Sequence, residues 1–436
     1  MTATPSLAAP RAMSARDVLR IPDFRRIFAG QLISDFGDSL TMLALLLLVN
    51  ELTGSVAALA VMAIVLALPQ VTIGVLAGVY VDRWDRRRVM LVADLARAGV
   101  VLGFLLVRTP DALWLLYLLG LVQASIGTFF TPARTAFVPR FVPREGLLAA
   151  NSLNQGGRLV ASVLGTGTAG VIVGLFGVTW PAFVLDSLTF VISFLFVLRI
   201  ATPGRVAAAA GAATTGVLRS VVEGIRVVAG SRLLTGTLIS AGVVMLGLGA
   251  VNVLFVPLLI NELRVPATWF GAIELAQTSS MILSAAILAT VLARVGATRV
   301  ISVTLAGTGV VIALLAGVSE VWQVIVLLFA VGWLITPLQA AVTTIVQTET
   351  TSAVRGRVAA LLSSTFQTAS VASMAVAGIF GEVIGVRGVF LGAAGVIGLA
   401  TVVSVVLFRG VRQPAAPAAP LADVAAEASA ELTAAG

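Results

Sequence analysis

Long apolar segments separated by short polar connections recur along the whole chain. Each holds about 20 residues, enough for a helix that rises about 1.5 Å per residue to cross a hydrocarbon core of about 30 Å. Twelve helices are predicted, near residues 27–50, 55–79, 89–108, 112–132, 148–176, 179–200, 234–260, 267–293, 298–318, 321–348, 357–383 and 386–408. The pattern therefore predicts an all-α membrane protein with twelve transmembrane helices in two blocks of six.

The connections divide the chain into five parts. We predict a cytoplasmic N-terminal segment at 1–20, six-helix bundles at 21–200 and 233–410, a cytoplasmic linker at 201–232 and a disordered cytoplasmic tail at 411–436. The linker becomes amphipathic near its end, which predicts a short surface helix. The N-terminal segment has no apolar core, so we do not expect a signal peptide.

Composition supports the membrane class and restricts the chemistry. The chain is 59% hydrophobic and only 11% charged, whereas soluble domains have about 25% charged residues. It contains no cysteine and no histidine, so thiolate metal sites are excluded and proton transfer has to use carboxylates. It also contains no lysine, so a phosphate-binding loop and ATP-driven transport are not expected. We predict no enzymatic activity, no cofactor and no metal.

The arginines indicate the orientation of the chain in the membrane. If the N-terminus is cytoplasmic, only Arg108, Arg264 and Arg387 are left for the outer connections. This asymmetry explains the net charge of +8 without a nucleic-acid partner. We therefore expect a monomeric, multi-pass protein of the cell (inner) membrane, surrounded by lipids, with both termini in the cytoplasm.

The connection at residues 78–88 is short and strongly basic. Five of its residues fall on a recognisable spacing: Gly78, Asp82, Arg83, Arg87 and Arg88. This spacing resembles the signature loop between the second and third helices of the major facilitator superfamily. Asp85 stands where the family pattern has a second glycine, which resembles the branch of drug, macrolide and siderophore exporters.

Other segments extend this resemblance over about residues 20–410. Residues 131–134, 150–153 and 355–358 are similar to the exporter branch, whereas Gly165-Thr166 departs from the Gly-Pro step of its antiporters. The resemblance implies two bundles that rock against each other to give alternating access. It also implies export of an amphipathic small molecule in exchange for protons.

The basic connection and the helix after it supply the predicted gating residues. These are Gly78, Asp82, Arg83, Arg87, Asp94 and Arg97. The resemblance gives Asp82 and Arg83 the gating role, while the neighbouring arginines can equally well only set the topology. Asp94 and Arg97 lie three residues apart on one helix face, so we expect them to pair with each other or with the connection.

Acidic residues inside the predicted helices are the candidates for proton coupling. Asp35 and Asp38 share one face of the first helix, and an acid at mid-bilayer costs roughly 2.5–3.5 kcal/mol. Burial disfavours the ionised form of a carboxyl group, so such a residue can bind and release a proton. Asp186 and Glu274 are further candidates. The alternatives are that one of Asp35 and Asp38 caps a neighbouring helix or pairs with Arg158, and that Asp186 makes a buried hydrogen bond to Ser187 or to a neighbouring helix.

Polar side chains deep in the helices are candidates to line a substrate cavity. Glu274 and Gln277 lie on one helix face near aromatic residues, which suits a cationic or hydrogen-bonding substrate. Gln31, Asn154, Asn252 and Gln339 either line the cavity or join neighbouring helices. A lipid or lysolipid translocator, a proton-driven importer of a polar metabolite and a non-transporting membrane sensor remain competing functions.

Overall fold

The computed structural model describes residues 13–204 and 217–409, and nearly all of them are helical. At a few positions inside these helices the side chains are not described. The helices are α1 Ala15–Arg20, α2 Pro22–Thr53, α3 Val56–Thr72, α4 Gly74–Arg83, α5 Arg86–Gly103, α6 Leu113–Phe137, α7 Leu147–Phe176, α8 Trp180–Leu198, α9 Val217–Gly230, α10 Arg232–Val256, α11 Trp269–Val295, α12 Ala297–Leu315, α13 Val321–Glu349 and α14 Ser352–Phe408. Within the described residues, ten helical segments are long and apolar enough to cross a membrane.

Two stretches differ from a simple succession of single spans. Helix α14 has 57 residues, which corresponds to about 85 Å, far more than a bilayer core. Gly385 interrupts it with φ 73° and ψ 167°, a conformation that is not helical and that favours glycine. Helices α3 and α4 follow each other directly, because α3 ends at Thr72 and α4 begins at Gly74.

The chain divides into two compact units. The first contains Met1–Ala213, Val253–Leu275 and Ala377–Glu382, and the second contains Thr214–Asn252, Ala276–Val376 and Val383–Gly436. In the first unit, α2 packs against α7 and α8, while α5 packs against α6 and α8. A buried apolar cluster that includes Val18, Phe24 and Phe137 joins the short helix α1 to this unit.

The second unit has its own apolar core. Helix α12 packs against α13, and the core includes Ile301, Leu305 and Ala341. Helix α9 lies where the amphipathic pattern of the linker predicts a helix, and its Val228 is part of this core. An ion pair between Glu223 and Arg357 also ties α9 to the start of α14. The surface helix is therefore anchored by both apolar and charged contacts.

Close packing of α7 on α2 depends on Gly165. A Cβ atom on this residue would overlap the backbone oxygen of Phe36 and Cβ of Ser39. We expect Gly165→Ala to lower the free energy of unfolding by about 1–3 kcal/mol, because helix backbones have to separate. Gly156 lies on the same helix, and no described atom lies within 4 Å of a Cβ placed there.

Gly156→Ala is therefore the matched control for Gly165→Ala. It should leave stability unchanged or raise it by up to about 1 kcal/mol, because alanine has the higher helix propensity. Thermal unfolding of the two purified variants in one detergent measures the difference. Equal melting temperatures would contradict the assigned packing of α7 on α2.

Candidate functional site

Four charged side chains from three helices meet inside the first unit. They are Asp38 on α2, Asp94 and Arg97 on α5, and Asp186 on α8. The Arg97 Nη2 group donates a hydrogen bond to Oδ1 of Asp38, and its guanidinium carbon lies 4.2 Å from the centre of the Phe190 ring. Asp94 accepts a 2.8 Å hydrogen bond from the Ser193 hydroxyl. The main partner of Arg97 is thus Asp38 on another helix, and not Asp94 three residues away.

The four side chains differ in their access to the surroundings. Asp94 and Asp186 are completely buried, whereas 38% of the Asp38 side chain and 10% of the Arg97 side chain are exposed. Asp38 is therefore the most exposed acid of this group.

The group contains more acid than base. Asp38 interacts electrostatically with both Asp94 and Asp186, and Arg97 is the cation among them. Full ionisation would leave surplus negative charge in a low-dielectric interior, which is unfavourable. Arg97 Nε and Asp94 Oδ1 are buried without a hydrogen-bond partner among the described residues. The arrangement is therefore suited to taking up a proton and to changing its hydrogen bonds when it does so.

Gly37 brings α8 close to this group. A Cβ atom at this position would overlap Oδ1 of Asp186 and the hydroxyl of Thr189. The Thr189 hydroxyl lies 3.2 Å from the same Asp186 oxygen. Gly37 thus leaves room for the carboxyl group of Asp186, and the next residue, Asp38, supplies a second carboxyl group.

Asp35 lies one turn before Asp38 but has different partners. It accepts a 2.6 Å hydrogen bond from Nε2 of Gln31, which is almost completely buried. Its charge is also near the guanidinium groups of Arg134 and Arg158. Arg158, which the sequence offered as a partner for Asp35 or Asp38, thus interacts electrostatically with Asp35. Asp35 has two compensating cations, while Asp38 shares one with two other acids.

Glu274 lies on α11, away from these acids. Its Oε1 atom accepts a 2.7 Å hydrogen bond from the Ser162 hydroxyl on α7. Next to this contact the helices pass very close to each other, because a Cβ atom on Gly271 would overlap Cα of Gly167. Glu274 therefore faces α7 and contributes to a separate polar contact of the first unit.

Two further polar contacts in the first unit were not predicted from the sequence. The side-chain amides of Asn50 and Asn261 exchange hydrogen bonds of 2.9 and 3.0 Å. Oε1 of Glu382 accepts hydrogen bonds of 2.6 Å from the Ser55 hydroxyl and 3.1 Å from the Ala57 backbone. A carboxylate at the start of a helix is favoured there by the helix dipole. These residues lie at helix ends, where polar residues are common, so one sequence gives no sign of their pairing.

The basic connection between α4 and α5 is only partly described. Arg87 donates to the backbone oxygens of Val197 and Leu198, at 3.3 and 2.6 Å, and so ties the start of α5 to the end of α8. Carbonyl groups at a helix C-terminus lack partners within the helix, which explains this contact. The side chain of Arg83 is exposed, and the surroundings of Gly78 and Asp82 lie outside the described part of the chain.

The remaining polar candidates are scattered. Asn154 and Gln277 are half-buried, and Gln339 is exposed. The Asn252 side chain is also exposed and donates a 3.1 Å hydrogen bond to the Leu248 backbone oxygen of its own helix. The structure gathers none of these four into the group around Arg97. Among the described residues, no set of three or more metal-binding side chains could hold a metal ion.

Comparison with known proteins gives matches over most of the chain. A family model described as transmembrane secretion effector matches residues 13–431. The multidrug efflux pump Tap of Mycolicibacterium fortuitum is 27% identical over 379 residues, which cover 84% of this chain and 90% of that protein. Macrolide efflux protein A of Streptococcus pyogenes is 32% identical over 152 residues, or 34% of this chain and 37% of that protein. The chain thus matches well under half the length of the macrolide efflux protein.

Solved transporter structures share the fold at low sequence identity. The nucleoside transporter NupG superposes with a TM-score of 0.69 at 13% identity, over 89% of this chain and 99% of that one. A bacterial homologue of the iron transporter ferroportin gives a TM-score of 0.70 at 16% identity, over 90% of this chain and 99% of that one. These similarities establish the fold and leave the substrate open.

Proposed function

The chain belongs to the transmembrane secretion effector family of the major facilitator superfamily, and from this premise we propose that it exports an amphipathic small molecule in exchange for protons. Its family and its structural relatives are transporters rather than enzymes, so it is a multi-pass membrane transporter with a small-molecule substrate. The names of the macrolide and multidrug efflux relatives support the outward direction. They also support a drug-like or macrolide-like cargo over a polar nutrient.

We propose twelve spans in two six-helix bundles, with both termini in the cytoplasm. Division of α14 at Gly385 gives two spans from one continuous helix, and α3 together with α4 gives one more. Added to the other nine of the ten long apolar helices, this makes twelve. In the proposed transport cycle the bundles rock against each other, so that a central cavity opens to one side of the membrane at a time.

The ion pair between Asp38 and Arg97 is the observation that carries the proton-coupling proposal. Asp38 is partly exposed and faces two buried acids across a single guanidinium group. Protonation of Asp38 would remove its charge and release Arg97 toward Asp94 or Asp186. Such an exchange of partners changes the contacts among α2, α5 and α8, and so couples proton uptake to helix movement.

The contacts at Asn50, Glu274 and Glu382 are proposed to hold one side of the cavity closed. Each contact joins a helix of the first half of the chain to a segment of the second half. Each is polar, so water can take the place of the partner when the contact breaks. Glu274 would also bind a cationic group of the cargo once its hydrogen bond to Ser162 breaks. Gln277, on the same helix as Glu274, would then add a hydrogen bond. Asp82 and Arg83 would gate the opposite side.

An efflux screen tests the proposed function. The chain is expressed in a bacterial strain that lacks its own drug exporters, and growth is measured with macrolides, other amphipathic drugs and siderophores. We expect resistance to at least one amphipathic compound, lost when an uncoupler collapses the proton gradient. Transfer of fluorescent lysolipid between leaflets, without drug resistance, would favour lipid translocation instead. No flux of any compound would favour a non-transporting sensor and contradict the proposal.

A further inference from the structure

A groove of about 640 Å³ lies beside the connection between α4 and α5. It is bordered by the end of α4, the first turns of α5 and the middle of α6. The residues that define its character are Arg83, Trp84, Arg88, Val92, Ser125 and Phe129. All of them belong to the first unit, and none belongs to the acidic group around Arg97. The groove is large enough for a lipid headgroup and the first part of an acyl chain.

The polar end of the groove is positively charged. Arg83 and Arg88 both line it and are exposed, and neither forms an ion pair with a carboxylate among the described side chains. Asp85, which also lines the groove, accepts a 3.1 Å hydrogen bond from the Arg88 backbone as the N-cap of α5. One oxygen of the Asp85 carboxylate is thus already engaged in a hydrogen bond. The two guanidinium groups are available to an anion from outside the protein.

The other end of the groove is apolar and is exposed on the surface of α5. Val92 is 68% exposed on a helix long and apolar enough to span the bilayer, so its surroundings are acyl chains. Trp84 is half exposed between the charged and the apolar ends and stacks on Tyr80 and Phe129, with ring centres 5.6 and 6.2 Å apart. A tryptophan with such surroundings is typical of the interface between headgroups and chains.

We infer that this groove binds an anionic phospholipid of the surrounding bilayer, with its phosphate between Arg83 and Arg88 and an acyl chain along Val92 and Phe129. Charge complementarity and the order of cationic, aromatic and apolar surfaces match such a lipid from headgroup to chain. The site does not depend on the direction of transport or on proton coupling. Because Arg83 also belongs to the predicted gate, a bound lipid would connect membrane composition to gating.

Native mass spectrometry of the purified full-length chain tests the inference. The protein is mixed with phosphatidylglycerol or phosphatidylcholine in detergent, and the bound lipid is counted. We expect retention of phosphatidylglycerol over phosphatidylcholine. The double variant Arg83→Gln/Arg88→Gln should bind phosphatidylglycerol about 10- to 30-fold more weakly, since each arginine near an anionic lipid contributes a factor of several. Arg25→Gln/Arg144→Gln removes the same charge from two other exposed arginines and should bind like the wild type.

A second variant tests the apolar part of the groove without changing its charge. Val92→Trp should fill the space for the acyl chain and lower retention, while the exposed position tolerates the larger side chain. Equal retention in the wild type, the arginine variant and Val92→Trp would overturn the inference. So would equal binding of the two lipids. Displacement by millimolar glycerol 3-phosphate as effective as by lipid would also overturn it, because the groove would then be a site for free phosphate.

Discussion

Asp38→Asn is expected to abolish proton-driven export while substrate binding stays measurable. Asparagine cannot take up a proton, and it offers Arg97 a neutral partner in place of the carboxylate. Export from proteoliposomes with an imposed pH gradient should fall to the level of empty liposomes. Binding of a fluorescent substrate, measured at equilibrium, should change far less than transport, because binding does not require the proton to move.

Two control variants show whether the loss of export is specific to Asp38. Asp111→Asn removes a carboxylate from an exposed connection and should export normally. Asp35→Asn should reduce export only in part, because Asp35 is compensated by Arg134 and Arg158 and is not paired with Arg97. Wild-type export by Asp38→Asn would remove this residue from the mechanism. Complete loss in Asp35→Asn alone would move the proton site to Asp35.

Arg97→Met is expected to destabilise the protein strongly. Adding Asp38→Asn to this variant should restore part of the lost stability. Removal of the guanidinium group leaves three carboxyl groups without their shared cation. Breaking a buried ion pair costs about 3–5 kcal/mol, and we expect about 2–3 kcal/mol here. The lower value reflects the 38% exposure of the Asp38 side chain.

A double-mutant cycle measures this coupling. Thermal unfolding is compared for Arg97→Met, Asp38→Asn and the double variant, with Arg25→Met as the control for loss of an exposed arginine. The double variant should be more stable than the sum of the single effects implies, by about 1 kcal/mol or more. It should still fail to transport. Strictly additive effects would show that the two side chains do not interact in the folded protein.

The membrane class and most helices could be predicted from the sequence, because apolar segments of span length are a direct consequence of the bilayer. The predicted helix at 148–176 and the observed α7 at Leu147–Phe176 nearly coincide. The glycine at 385 was expected to lie between two predicted helices, and the backbone there is indeed not helical. A single sequence cannot show how one helix is rotated against another, so the partners of each polar residue had to come from the structure.

In the candidate site, too, the sequence indicated the candidate residues but not their partners. Asp38 and Asp186 could be chosen as candidates from the sequence because an acid inside an apolar helix is rare and costly. Arg97 and Asp94 were found from their spacing on one helix, but the structure pairs Arg97 with Asp38, a residue 59 positions away. Spacing within a helix predicts which residues share a face, and it does not predict the neighbour that this face meets. The Asn50–Asn261 pair was missed for the same reason, since 211 positions separate its members.

We propose that export and proton uptake are one coupled process at Asp38. It is tested most directly by reconstituting the chain with a trapped pH-sensitive dye and imposing a gradient of a transported drug alone, with the membrane potential clamped. We expect drug movement to drive protons in the opposite direction in the wild type, and Asp38→Asn to give no proton signal. Drug flux in the wild type without any proton movement would contradict it.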